Sequence, residues 1–186
     1  MKQHWYLLNW NYETVKNGRG KQVRKLVYRG EYYRIRIQER HFLILKIAYG
    51  MLFVLLMVAY GLLSLCETQG SMLFLTGAPC MLAVIPLMYL GIGICCFLIA
   101  PRKMTSRDVH TSVYFMKIAS KWAIALFGLS MTGELVFVIF RTLSGLEVKV
   151  SAEWLRLAYA ALCLSDCCVI LYLIRQFPAE ALPNQL

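Results

Sequence analysis

The chain has 186 residues, 59% of them hydrophobic, and carries 20 Lys and Arg against 10 Asp and Glu, a formal net charge of +10. The length suits one domain. An apolar share above the roughly 45–50% of soluble proteins excludes an ordinary soluble domain. The bases flank apolar runs, so the charge reads as membrane topology rather than as a nucleic-acid footprint.

Residues 1–41 form a basic–aromatic segment, predicted to be cytoplasmic. They carry Lys2, Lys16, Arg19, Lys21, Arg24, Lys25, Arg29, Arg34, Arg36 and Arg40 among Trp5, Tyr6, Trp10, Tyr12, Tyr28, Tyr32 and Tyr33. Period-two patterning in Gln22–Tyr28 and Tyr32–Gln38, either side of Arg29-Gly30-Glu31, predicts a β-hairpin. Asn17-Gly-Arg-Gly-Lys21 reads as a second turn, with His4–Trp10 as a third strand. A lone hairpin is marginal in water. It is expected to lie on the bilayer surface or on a partner, with Arg24, Lys25, Arg29, Arg34, Arg36 and Arg40 facing anionic headgroups or that partner. Interleaved bases and aromatics also suit nucleic acid, but positive-inside charge with interfacial anchoring accounts for the same residues and is preferred.

Four apolar runs follow, at about 42–65, 72–100, 114–140 and 154–174. Each supplies the ~20 residues needed to cross the ~30 Å hydrocarbon layer as a helix. The fold class is therefore all-α and integral to the membrane, with a transmembrane domain over 42–175 and a cytoplasmic tail over 176–186. The first run begins after about forty polar residues, so no cleavable signal peptide is expected. Lys46, one turn inside the first helix, is expected to snorkel toward the headgroups. In the second run, Pro79 belongs in the first turn of the helix or just before it. Pro86 is interior and should kink the helix, freeing a carbonyl one turn earlier. The connection over 101–113 carries Arg102, Lys103 and Arg107, with Lys117 and Lys121 just inside the third run, whereas the first connection has no base. This bias predicts a cell-membrane protein with both termini cytoplasmic, and short connections predict an up-down-up-down four-helix bundle.

Two carboxylates fall inside the runs. Glu134 lies near the outer end of the third helix and Asp166 in the inner half of the fourth, about 8 Å apart in depth. Membrane carboxylates usually face the bundle interior. Each is expected to be hydrogen-bonded or protonated, serving as an ion or proton relay, an anchor for a partner, or an interhelical packing contact.

The seven cysteines contain no CxxC and no metal-ligand spacing, so no metal and no cofactor is assigned. If the second and fourth helices were neighbours, Cys95, Cys96, Cys163, Cys167 and Cys168 would form a thiol layer suited to a soft metal. The bland account is small apolar packing. Cys66 and Cys80, both near the outer surface, are placed for a possible disulfide. Small residues one or two turns apart, Ala119 and Ala123, Gly91 and Cys95, Ser120 and Gly128, predict close helix crossings.

No reaction follows from these residues. Four spans with little extramembrane chain point first to a small accessory or assembly protein that binds another membrane protein or a second copy. A transporter or channel component built on Asp166, Glu134 and the Pro86 kink is the second reading. A membrane thiol or metal protein built on the inner cysteines is the third.

Overall fold

The computed structural model describes residues 10–16, 22–28, 32–35, 37–66, 74–144, 150–177 and 179–181. Among them, four helical stretches are long and apolar enough to cross a membrane. The first is α1 (Glu39–Leu65); the second is the pair α2 (Phe74–Leu82) and α3 (Val84–Ile99). The third runs through the short α4 (Ser106–Val109), one π-helical turn (His110–Tyr114) and α5 (Phe115–Leu143), and the fourth is α6 (Val150–Gln176). Their lipid-facing sides remain apolar: Met51, Phe74, Ile99, Leu143 and Tyr172 are all largely exposed. Length and composition thus make the chain a multi-pass membrane protein.

Individual contacts fix the direction of each span. Tyr60 donates to the Cys80 carbonyl and Lys46 to those of Leu98 and Ala100. Numbers fall along α1 as they rise along α2 and α3, so the first two spans are antiparallel. Ser130 donates to the Thr76 carbonyl, while Gly93 abuts Ser112 and Met116, which sets the third span against the second. Gly128 meets Leu164 and Glu134 meets Arg156, which does the same for α5 and α6. α1 packs on α3 and α6, and α5 packs on α2, α3 and α6. The spans therefore close a ring in sequence order, with the second and fourth on a diagonal. The core runs along the ring's axis through Leu56, Leu90, Ile94, Phe97, Phe127, Cys163 and Ile170.

The second span passes from α2 to α3 at Ala83, through which the helical hydrogen bonds continue. Its N–H donates to the Pro79 carbonyl at 3.0 Å, and its carbonyl accepts from Leu87 at 3.1 Å. Pro86 has no N–H to offer the carbonyl of Leu82 one turn earlier. Pro79 lies in the interior of α2 rather than in its first turn, because the helix already starts at Phe74. Hydroxyls of neighbouring helices reach this backbone, Tyr60 at 3.1 Å and Ser130 at 3.0 Å. These bonds flank Pro79 and tie the second span to the first and the third.

The third span begins at Ser106 rather than Tyr114. Thr105 caps it: its hydroxyl accepts from the Asp108 N–H at 3.3 Å, and its own N–H donates to Asp108 Oδ2 at 3.0 Å. This reciprocal pair satisfies two donors at the helix start.

At that end of the bundle lie two small sheets. β1 (Trp10–Lys16) and β2 (Gln22–Tyr28) form an antiparallel hairpin in register from Trp10↔Tyr28 to Lys16↔Gln22. β3 (Tyr32–Ile35) does not pair with β2 as the sequence pattern suggests. It lies between β4 (Lys103–Thr105) and β5 (Ala179–Ala181), antiparallel to both. The reason is burial. Docked here, β3 and β4 place Ile35 (3% exposed) and Met104 (0%) over the end of the core, which a hairpin in water cannot do. Of the expected strand His4–Trp10, residues 4–9 lie outside the described residues, and Trp10 opens β1 instead. This three-stranded sheet ties the N-terminal segment, the connection between the second and third spans, and the C-terminal tail to one end of the bundle. Arg102 reinforces it, donating to Glu39 at 2.9 Å and to the Ile37 carbonyl at 2.7 Å.

α3 and the π-helical turn approach most closely at Gly93. A Cβ there would sit 2.8 Å from Met116 Cγ and 3.1 Å from both the Met116 nitrogen and the Ser112 oxygen. The side chain can move aside; the two backbone atoms cannot without separating the helices. Gly93→Val is expected to destabilise the bundle by about 1–3 kcal/mol, the range for overpacking, seen as a lower unfolding temperature in detergent. An unchanged transition would show that the helices do not meet there.

Candidate functional site

The buried face of α6 is a regular seam: Glu153, Arg156, Ala160, Cys163, Cys167, Ile170 and Ile174 are all 5% exposed or less. The spacing alternates three and four residues, the period of a helix that packs along one stripe. The lower seam is apolar. Its first two members are charged, and the second, Arg156, meets Glu134 of α5. Arg156 Nε lies 3.5 Å from Glu134 Oε2, with side chains 5% and 3% exposed. Glu153 is 3% exposed. Ser130, one turn before Glu134 on α5, is also buried and binds the Thr76 backbone. A cluster of two carboxylates and one guanidinium thus closes the end of the bundle opposite the sheets.

Pairing explains how these charges lie buried. An unpaired ion inside a low-dielectric core is costly, and an opposite charge with further hydrogen bonds offsets that cost. Arg suits the role because it stays ionised and presents several donors. Sequence reasoning singled out Glu134 but took Glu153 for a loop residue and passed over Arg156. The seam was the available signal: stepping back from Ile174 by fours and threes lands on both.

The cluster does not include Asp166. The Gly128–Leu164 contact, at 3.8 Å from a Cβ on Gly128, sets the register of α5 against α6. From that level Glu134 lies six residues toward one end and Asp166 two toward the other, about 12 Å apart in depth at 1.5 Å per residue. Asp166 is 6% exposed, and its Oδ2 has no hydrogen-bond partner among the described residues. Cys163 and Cys167 lie within electrostatic range of it.

The structure does not assemble the thiol layer. The spans that carry it are diagonal, Cys95 and Cys168 are exposed, and Cys96 is half-buried; only Cys163 and Cys167 enter the core. Among the described residues no group of three His, Cys, Asp or Glu is placed to hold a metal. Cys66 and Cys80 are both free thiols. Tyr60 marks the level of Cys80 on α1, and Cys66 is six residues beyond it, roughly 9 Å. Of the expected small-residue contacts, Ala119, Ala123 and Ser120 are buried between helices, and Gly91 packs against the Phe53 ring. Cys95, one turn from Gly91, points outward.

The basic residues expected at a headgroup or partner surface divide. Arg24 on β2 and Arg40 in the first turn of α1 are exposed. Lys25 lies on β2 and Arg34 on β3, while Arg29 and Arg36 fall outside the described residues. Lys46 does not simply extend into the headgroups. Its Nζ caps the last carbonyls of α3 at 2.8 and 2.7 Å and lies 4.9 Å above the Phe42 ring.

Lys117 and Lys121 of α5 differ from Lys46. Both are exposed, and neither has an ion-pair partner among the described residues. Beside them, between α3 and α5, a groove of about 500 Å³ opens toward lipid, lined by Ile85, Pro86, Tyr89, Phe115, Ile118 and Trp122 among others. A second groove of about 390 Å³ lies between α1 and α3, lined by Phe53, Met57, Tyr60 and Gly91 among others. Both are apolar.

No family model matches the chain, and neither does any curated protein or solved structure.

Removing one partner of a buried ion pair strands the other. Arg156→Met is expected to destabilise the protein by about 3–5 kcal/mol, and pairing it with Glu134→Gln should restore part of the loss. Thermal unfolding of the two variants in detergent measures this. Equal destabilisation by the single and the double change would deny the coupling between these side chains.

Proposed function

We propose that the chain is a small accessory or assembly protein of the cell membrane. It binds a partner through its helices and its basic–aromatic N-terminal segment. The sheet end, which gathers Arg24, Arg40, Lys103 and Arg107, is the cytoplasmic end in this reading, by the bias of Lys and Arg in short connections. Anionic headgroups then surround these bases.

The observation that carries the reading is the hairpin of β1 and β2. It is a sheet of its own among the described residues, with seven-residue strands that pair only with each other. Two strands alone bury too little to hold their shape in water, and each presents an open edge to which another chain can add a strand. A three-residue β4 or β5 offers little room for such addition; the hairpin offers seven positions per edge. Extracted in mild detergent, the chain is expected to migrate in a complex heavier than its 21.4 kDa. Deleting residues 10–28 should release it. A monomer that moves a solute unaided would contradict the proposal.

A second reading has its own support. Asp166 is buried with one carboxylate oxygen unpartnered among the described residues, and an ionisable group at membrane depth is a functional candidate by default. In that reading Asp166 passes a proton or ion across the inner half of the bundle. Asp166→Asn should then abolish flux in reconstituted vesicles, and undiminished flux removes the role.

A further inference from the structure

Lys121 is a cation placed where lipid does not solvate it. It precedes Trp122, which lines the α3–α5 groove together with Ile85 and Pro86. Pro86 is the midpoint of the second span, twelve residues from Phe74 and thirteen from Ile99. At 1.5 Å per residue it is about 18 Å from either end, farther than a lysine side chain reaches by snorkelling. Lys117, one turn nearer the sheet end, lies on the same exposed flank. Membrane charges normally face a bundle interior or pair with another group. Lys46 obeys that rule through the α3 carbonyls. Lys121 does so only if something outside the described fold covers it.

We propose that the α3–α5 groove receives a transmembrane helix of a partner protein, and that this helix carries a carboxylate near mid-span that pairs with Lys121. This rests on the accessory reading and names the chemistry of its partner. Apolar side chains of the incoming helix fill the groove around Pro86, Ile118 and Trp122. Charge complementarity selects the occupant. A second copy does not fit, because this chain's own carboxylates on α5 and α6, Glu134, Glu153 and Asp166, are buried. A symmetric contact through the groove would also set lysine against lysine. A lipid phosphate sits at headgroup depth, out of reach.

The probe is a synthetic helix of about 21 Leu and Ala residues with one central Glu, beside versions with Gln or Leu at that place. Each is incorporated with the full chain into phosphatidylcholine vesicles, and contact is read by photocrosslinking from Ile118→p-benzoylphenylalanine. The Glu helix is expected to crosslink about tenfold more than the Leu helix, the scale of one polar pair in lipid. Lys121→Met should erase that preference, and Lys121→Glu should transfer it to a helix with a central Lys. Equal yields from all three helices would overturn the proposal. So would a Glu preference that survives Lys121→Met, or one abolished by adding phosphatidylglycerol, which would assign the lysine to phosphate. A wild-type chain that is monomeric in its own membrane fails the accessory reading. A native complex that keeps its size in Lys121→Met fails the groove alone.

Discussion

Lipid offers no hydrogen bonds, and that single property orders this molecule. Every backbone group inside the bilayer must find its partner in the protein, so apolar runs become helices before anything else is decided. Apolar surface cannot then discriminate among helix neighbours, because lipid tails are as apolar as leucine. What distinguishes one arrangement of four greasy helices from another is the small set of polar contacts and close approaches between them. Tyr60 to Cys80, Ser130 to Thr76, Lys46 to the end of α3, Arg156 to Glu134 and Gly93 against the π-helical turn are that set. Each lies between two helices adjacent in the ring, and together they fix both order and direction.

Most of these contacts exploit an interruption in a helix. The second span carries two prolines and passes from α2 to α3 at Ala83; hydroxyls from the first and third spans reach its backbone on the side of Ala83 away from the sheets. At its inner end the last carbonyls, which have no intrahelical donors, accept from Lys46. The third span has a π-helical turn where Ser112 and Met116 approach Gly93. A straight, unbroken helix exposes little backbone for neighbours to bind. The irregular stretches are therefore what makes this packing specific.

The spans and their alternation were legible in the sequence because hydropathy over some twenty residues is a strong signal and short connections force neighbours to be antiparallel. Local chemistry in the connections was written just as plainly but in a weaker signal. Thr105-Ser-Arg-Asp108 is a capping box, and it starts the third span eight residues before the apolar run does. The partner of β3 was not legible at all. Alternation in Tyr33, Ile35 and Ile37 announces a strand, yet period two says nothing of which segment pairs with it. The choice of β4 and β5 depends on closing the end of a core that exists only once the helices are assembled. The same holds for the cysteines: depth along a helix does not say which helices share an edge of the ring. Arg156 stands between these cases, readable from the three–four seam of α6 yet easily dismissed as the edge of an apolar run.

The four spans do not agree on where the bilayer lies. Between Lys46 and Cys66, α1 is free of charge over Ile47–Leu65; between Lys121 and Arg141, α5 has no base over Trp122–Phe140, and its one acid there, Glu134, is buried. The rings of Tyr60 and Phe127 meet at 6.1 Å, which sets these residues level. On that register the α1 stretch covers the depth of α5 residues 114–132, so the two apolar stretches are staggered by eight residues, about 12 Å. The Gly128–Leu164 contact sets Leu157–Ile174 of α6 level with 118–135, nearer to α1 than to α5. A slab drawn through α1 and α6 leaves Lys121 inside the hydrocarbon, with Lys117 at its edge, and carries Val136, Ile139, Phe140 and Leu143, all exposed, beyond it. Tilting the bundle shares the mismatch among helices but does not remove a stagger built into the register. The ion cluster sits at the boundary of that slab opposite the sheets, level with the end of α1 and the start of α2, where charges are least costly to hold. The flank of α5 nearer the sheets, with Lys121, is where this register sets a charge against an apolar slab.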